Sequence, residues 1–256
     1  MTIRKFSTNR ISASRSFEKT KTAVGSSVSR EIKIEYLVVG GGGGASDGVA
    51  PAQDANGAGG GGGVVYGSTW LRKFGNPGTS IAIQVGAAGS GTNGTSGTNS
   101  SFGAVIGYGG GAAGSGGSGG ASGNGGSSNP ISGASTQISY PDYGGTGYGS
   151  AGVGNSYGGG AGGGFSGINF NISGSFATYS RGGRIGATLV QYSGYGHGSS
   201  SKTFSSPYTT NPGPGVVILR YLKEFPAATA TTGSPTVTIV GAYRIYTFTS
   251  TGSITF

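Results

Sequence analysis

The sequence predicts an all-β protein in which β-sandwich-like strands are combined with a glycine-rich slab of polyglycine-II-type segments, with little or no helix and an extended N-terminal arm. Three observations carry that expectation. Sixty of the 256 residues are glycine, against roughly 7% in an average chain. The glycine is interleaved with clean apolar strands and with 14 tyrosines, whereas disordered chains are poor in aromatics. Nowhere does an amphipathic helical period appear, and glycine at this density would cost about 1 kcal/mol per residue in a helix.

Residues 1–30 are rich in serine, threonine and basic side chains, with seven lysines and arginines against one acid, Glu18, a net of +6 out of +9 for the whole chain. No period of 2 or 3.6 runs through them. They read as a basic extended docking arm, in which Arg4, Lys5, Phe6, Arg10, Ile11, Arg15 and Phe17 are the candidate docking residues. Their charge suits an acidic partner surface.

A glycine-rich β/polyglycine domain is expected over 31–224. Its first strand, Ile32–Val39, alternates Ile32, Ile34, Tyr36 and Val38 with charged residues. It empties into Gly40–Gly44. A strand-like unit at Ser68–Phe74 holds the only tryptophan, Trp70. A turn at Gly75–Gly78 leads into the strand Ser80–Val85. Residues 86–167 form the glycine core of the sequence. A strong strand, Val216–Leu222, follows the Asn-Pro-Gly-Pro-Gly stretch at 211–215. The C-terminal module, 225–256, reads as a β-hairpin, Thr236–Val240 and Tyr243–Thr249 about a turn at Gly241–Ala242, with a last strand Ser253–Phe256.

Gly40, Gly42 and Ala45 match the G-x-G-x-x-[G/A] dinucleotide fingerprint. That site needs a helix beginning just after the glycines, its N-terminus facing the pyrophosphate. The following residues carry Gly48, Pro51 and Gly57, so no useful helix fits, and the acid expected about 20 residues on is missing. No P-loop lysine is present. The single histidine, His197, lies in Gly-Tyr-Gly-His-Gly without a nucleophile or acid motif nearby and reads as a surface contact residue. Only four acids follow residue 35. No enzyme, cofactor or metal site is expected, and the absence of cysteine excludes thiolate chemistry. No apolar run reaches the ~18 residues that span a bilayer, and no secretory signal core is seen. Nucleic acid is not an expected partner, since only Arg181-Gly182-Gly183-Arg184 resembles an arginine–glycine segment.

Glycine can instead be building material. Three-residue-per-turn glycine helices have no internal hydrogen bonds, yet their N–H and C=O groups must be satisfied. Packed side by side they can bond laterally. Alanine, serine and threonine would then point outward, and the connecting loops could vary freely.

In order along the chain, Tyr36–Gly44, Gly59–Val65, Ser80–Gly86, Asn99–Gly103 and Gly213–Tyr221 resemble the glycine-rich domain of tailed-bacteriophage tail-fibre and adhesin proteins. The likeness runs over roughly 32–222. Residues 243–252 are similar to a short β module that stands before such domains, whereas here it stands after one. That departure suggests that residues 236–256 close back beside Ile32–Val39. The resemblance implies a virion protein, assembled in the host cytoplasm, whose slab presents loops to a host receptor or glycan. It also implies anchoring on other tail or capsid proteins and a homo-oligomer, with a trimer favoured. A capsid decoration, cement or head-fibre protein is the alternative. Tyr140, Tyr143, Tyr148 and Tyr157 in one region, and Tyr192, Tyr195, His197 and Tyr208 in another, are the candidate receptor contacts, because tyrosine offers a large rigid face with a polar tip. Packing on the slab is the equally weighted role for them.

Overall fold

Glycine blocks and β-strands alternate along the whole of the computed structural model, which describes residues 31–45, 57–90, 94–113, 137–149, 166–186, 193–202 and 210–256. The strands are β1 (Lys33–Val39), β2 (Val64–Trp70), β3 (Ser80–Gln84), β4 (Ser100–Phe102), β5 (Val105–Gly107), β6 (Gly145–Tyr148), β7 (Ile168–Phe170), β8 (Ala177–Tyr179), β9 (Ile185–Gly186), β10 (Ser201–Lys202), β11 (Val216–Leu222), β12 (Ala230–Thr232), β13 (Thr236–Val240), β14 (Tyr243–Phe248) and β15 (Gly252–Thr255). The only helical pieces among the described residues are two 3₁₀ turns, Leu71–Lys73 and Pro141–Tyr143. Residues 31–256 form one compact unit.

Two antiparallel sheets make the sandwich. One has six strands in the order β13-β14-β11-β1-β2-β6, the other five in the order β12-β15-β3-β4-β5. β1 lies inside the larger sheet and buries both faces. Ile34, Tyr36 and Val38 join Ile83, Phe102, Leu219 and Phe248 in the layer between the sheets. Leu37 and Val39 join Val64, Ile218 and Ile245 on the other face, where Tyr179, Phe170 and Ile172 of the β7–β8 region cover them. This explains why the alternation seen at Ile34–Tyr36–Val38 gives way to the unbroken apolar run Leu37-Val38-Val39: a strand covered on both sides has no polar face to keep.

The strand placed at Ser68–Phe74 instead runs Val64–Trp70, because β2 pairs with β1 over its full length, from Val64 opposite Val39 to Trp70 opposite Lys33. Leu71–Lys73 then turns away as 3₁₀. The C-terminal strands complete both sheets. β14 lies against β11, and β15 against β3. β14 therefore stands one strand away from β1, with β11 in between, while β15 belongs to the other sheet.

Candidate functional site

The segment Gly40–Gly44 leaves the end of β1 and becomes the axis of a bundle. Its donors point in three directions with a period of three. Gly40 and Gly43 donate to Gly63 and Gly60 (2.9 and 2.8 Å), Gly41 and Gly44 to Thr98 and Thr95 (3.0 and 2.8 Å), and Gly42 to Gly213 (2.8 Å). Its acceptors face three further segments. Gly41 and Gly44 receive Gly110 and Ala113 (2.7 and 2.9 Å), Gly42 receives Gly89 (2.8 Å), and Gly43 receives Ser199 (2.9 Å). One three-residue-per-turn segment is thus bonded to six neighbours, the arrangement of close-packed parallel rods.

The same period continues outward. Gly59 and Gly62 donate to Ser199 and Gly196, while Gly60 and Gly63 donate to Gly111 and Tyr108. The rods approach so closely that only glycine fits at the axis. A Cβ on Gly42 would overlap the carbonyl oxygen of His197, with the carbonyl carbon at 2.5 Å. Every N–H from Gly40 to Gly44 is already engaged with a carbonyl. The fingerprint-like spacing therefore leaves no donor for a phosphate.

Polar side chains near the rods turn inward at several places, contrary to the outward orientation expected for them. Ser100, Ser180, Ser199, Ser200 and Thr210 are buried. The Ser100 Oγ accepts from Gly86 N (2.9 Å), Thr98 Oγ1 from Ala87 N (2.8 Å), and Asn99 Oδ1 from Gly109 N (2.9 Å). Thr210 Oγ1 accepts from Ser200 N (2.8 Å), and Gln137 Oε1 from Tyr108 N (2.8 Å). Ser180 takes a left-handed φ of +56° and donates its hydroxyl to the Gly62 carbonyl. Side-chain oxygens supply partners where the lattice of rods has a gap, since an unmet buried N–H would cost ~1–3 kcal/mol. Of these, only Thr98 and Ser199 directly follow a glycine, so a Ser or Thr bordering a glycine block is a sequence signal for those two, and the others carry none.

His197 is buried, not on the surface. Its Nδ1 lies 2.9 Å from the Gly194 carbonyl oxygen. Burial pushes its pKa below the ordinary histidine value and the charge of Arg181 adds to this, against the opposing pull of backbone at Gly194 and Asn211. Of the candidate contact tyrosines, Tyr140 and Tyr143 pack on the layer between the sheets, and Tyr148 and Tyr195 on the opposite layer. The Tyr143 carbonyl accepts the Tyr36 hydroxyl at 2.7 Å, and its ring lies 5.1 Å from Phe74. Burial, then a hydrogen bond with Tyr108, raises the Tyr140 phenol to about 12. Tyr148 meets Phe170 edge-on at 5.9 Å. These four side chains are half-buried supports of the core. Tyr157, Tyr192 and Tyr208 lie outside the described residues, as do the seven docking residues of the arm.

The bundle has a far end, away from the sheets. Ala45 receives Gly94 N, Gly44 receives Ala113 N, and Ser200 receives Thr210 N. Ser201 and Lys202 pair with Ile185 and Gly186. The connections 46–56, 91–93 and 203–209 leave and re-enter the described structure at this end, whereas 114–136 leaves it here at Ala113 and returns beside β5 at Gln137.

On the same face of the larger sheet as the β7–β8 region, beyond its cover, lies a cleft of about 400 Å³ lined by Lys33, Glu35, Ser68, Trp70, Leu222 and Tyr243 among others. Its carboxylates are engaged. Glu35 pairs with Arg220 at 2.7 Å and accepts the Tyr66 hydroxyl at 3.0 Å, and Glu31 pairs with Arg72 at 2.9 Å. Among the described residues no group of three or more His, Asp or Glu side chains is placed to hold a metal ion.

Residues 20–222 match the glycine-rich domain. The chain belongs to the glycine-rich domain family. The match ends at the last residue of β11, so β12–β15, which complete both sheets, follow the family domain. No curated protein and no solved structure matches the chain.

Proposed function

We propose that this glycine-rich domain protein is a bacteriophage virion component of the tail-fibre or adhesin type, which presents variable loops from a rigid body for attachment to a host surface. The observation that carries the proposal is the far end of the bundle. Several connections leave from rods whose positions are fixed by backbone hydrogen bonds, so the loops can change in sequence without disturbing the body. A carrier whose rods are joined by backbone hydrogen bonds is suited to displaying a changing surface. In this reading the contacts come from the connections, which include Tyr208, while Tyr140, Tyr143, Tyr148 and Tyr195 serve as supports.

The strongly basic residues 1–30 favour a second reading, a decoration or head-fibre protein with a purely structural role, held on an acidic capsid or tail surface. One pair of measurements separates the two. Purified protein at saturation blocks phage adsorption to host cells if the chain is an adhesin and leaves adsorption unchanged if it is a decoration. Loss of virion incorporation on deleting residues 1–30 supports the arm as the anchor, and undiminished incorporation rules it out.

A further inference from the structure

The two margins of the sandwich are finished differently. On the β6 side the sheet edge is occupied by 137–140. Gly147 N donates to Ser139 Oγ at 3.0 Å, Tyr140 and Gly145 exchange backbone bonds of 2.8 and 2.9 Å, and Gln137 Nε2 donates to the Ile106 carbonyl of β5 at 3.0 Å. On the other side β12 and β13 are the outermost strands of their sheets and are exposed at every residue.

β13 reads Thr-Val-Thr-Ile-Val. It has no charge, no proline and no glycine, and it pairs with β14 residue for residue without a bulge. Natural edge strands are normally blunted by one of those devices, because their outward N–H and C=O groups are a template for another strand. Val237 lies opposite Tyr246, a member of the layer between the sheets. By alternation Ile239 shares that face, yet Val237 and Ile239 remain 50% and 59% exposed. The apolar layer thus runs past the cover of the smaller sheet and stops in solvent. Arg244, the charged residue opposite Ile239, is engaged within its own chain by the Phe225 carbonyl at 2.6 Å and the Tyr221 ring.

We propose that β13 is a homodimerisation edge, two copies joining antiparallel along Thr236–Val240 about a two-fold axis at Thr238. In that register Val237 faces Ile239 of the second copy and Ile239 faces its Val237, so the two apolar residues on the face between the sheets meet each other; on the opposite face Val240 meets Thr236, and no like charges oppose. The two six-stranded sheets run on as one. The self-match is what selects a second copy over an unrelated strand. An isologous edge joins copies in pairs, which replaces the trimer that the family resemblance favours. The inference stands whether or not the chain is a virion protein.

Sedimentation velocity of the full chain over a hundredfold concentration range is expected to show a species of twice 24.9 kDa, and Ile239→Lys to shift it to the monomer with an unchanged far-UV spectrum. The chain has no cysteine, so Thr238→Cys is a clean reporter. Paired antiparallel residues place their Cα atoms ~4.5–5.5 Å apart, within disulfide reach. Mild oxidation should therefore cross-link Thr238→Cys and not Thr236→Cys. A monomer throughout the range, a dimer that survives Ile239→Lys, or cross-linking at 236 in place of 238 overturns the proposal. If Ile239→Lys does not fold, the cysteine pair decides alone.

Discussion

Adding a single methyl group at Gly42 tests the axial position of Gly40–Gly44 most directly. In Gly42→Ala the new Cβ overlaps the His197 carbonyl oxygen and lies 2.5 Å from its carbon, where ordinary contact begins at 3.4 Å. The rod containing His197 has to retreat by roughly 1 Å. That rod cannot move alone. Gly213 N bonds the His197 carbonyl at 2.8 Å, Ser199 N bonds Gly43 at 2.9 Å, and Gly42 N bonds Gly213 at 2.8 Å. Overpacking costs ~1–3 kcal/mol, and each buried backbone bond left unmet a further ~1–3 kcal/mol. With two bonds disturbed the loss is about 3–9 kcal/mol, comparable with the ~5–15 kcal/mol that keeps a domain folded. Gly78→Ala is the matched control. Nothing lies within 4 Å of its added Cβ, and its φ of +82° costs the new alanine only left-handed strain, roughly 1–2 kcal/mol. Denaturant unfolding followed by far-UV circular dichroism is expected to show a large loss for Gly42→Ala and a small one for Gly78→Ala. Equal losses at the two positions would refute the axial packing.

Two further perturbations probe the body of the fold. His197 is neutral in the folded chain because its pKa is depressed, so its contribution to stability is full above the ordinary value near 6.5 and is lost as pH falls below it toward the folded-state pKa. The melting temperature should fall as the pH drops below about 6.5, ahead of the carboxylates. The slope should be flatter in His197→Gln, and the lone histidine's proton resonance should titrate below its free value. Arg220 joins three elements, bonding Glu35 at 2.7 Å and the Asn171 carbonyl at 3.0 Å and lying 4.6 Å above the Tyr243 ring. Arg220→Ala should cost about 2–3 kcal/mol, the value of hydrogen bonds to a charged group, and Arg220→Ala with Glu35→Gln less than the sum of the two single changes, as read from a double-mutant cycle.

Strand signals were legible wherever alternation or an apolar run lasted five residues or more, as in Val216–Leu222 and Thr236–Val240, where the expected bounds match β11 and β13. They were illegible at β4, β5, β7 and β8, since three residues carry no period. The tyrosines were legible as important but not as supports. Whether a ring faces solvent or Phe74 and Phe170 depends on residues tens of positions away.

By itself the sequence determined that glycine serves as structure: its density forbids helix, and the strands and tyrosines between its blocks argue against disorder. Only the tertiary structure decided that Gly40–Gly44 is the axis, that Ser100, Ser180 and Thr210 turn inward, and that His197 is buried. The physical reason is that a three-residue-per-turn glycine segment makes no hydrogen bond to itself. Its partners at Gly63, Thr98, Gly110 and Gly213 are chosen across the chain, and no local pattern announces them.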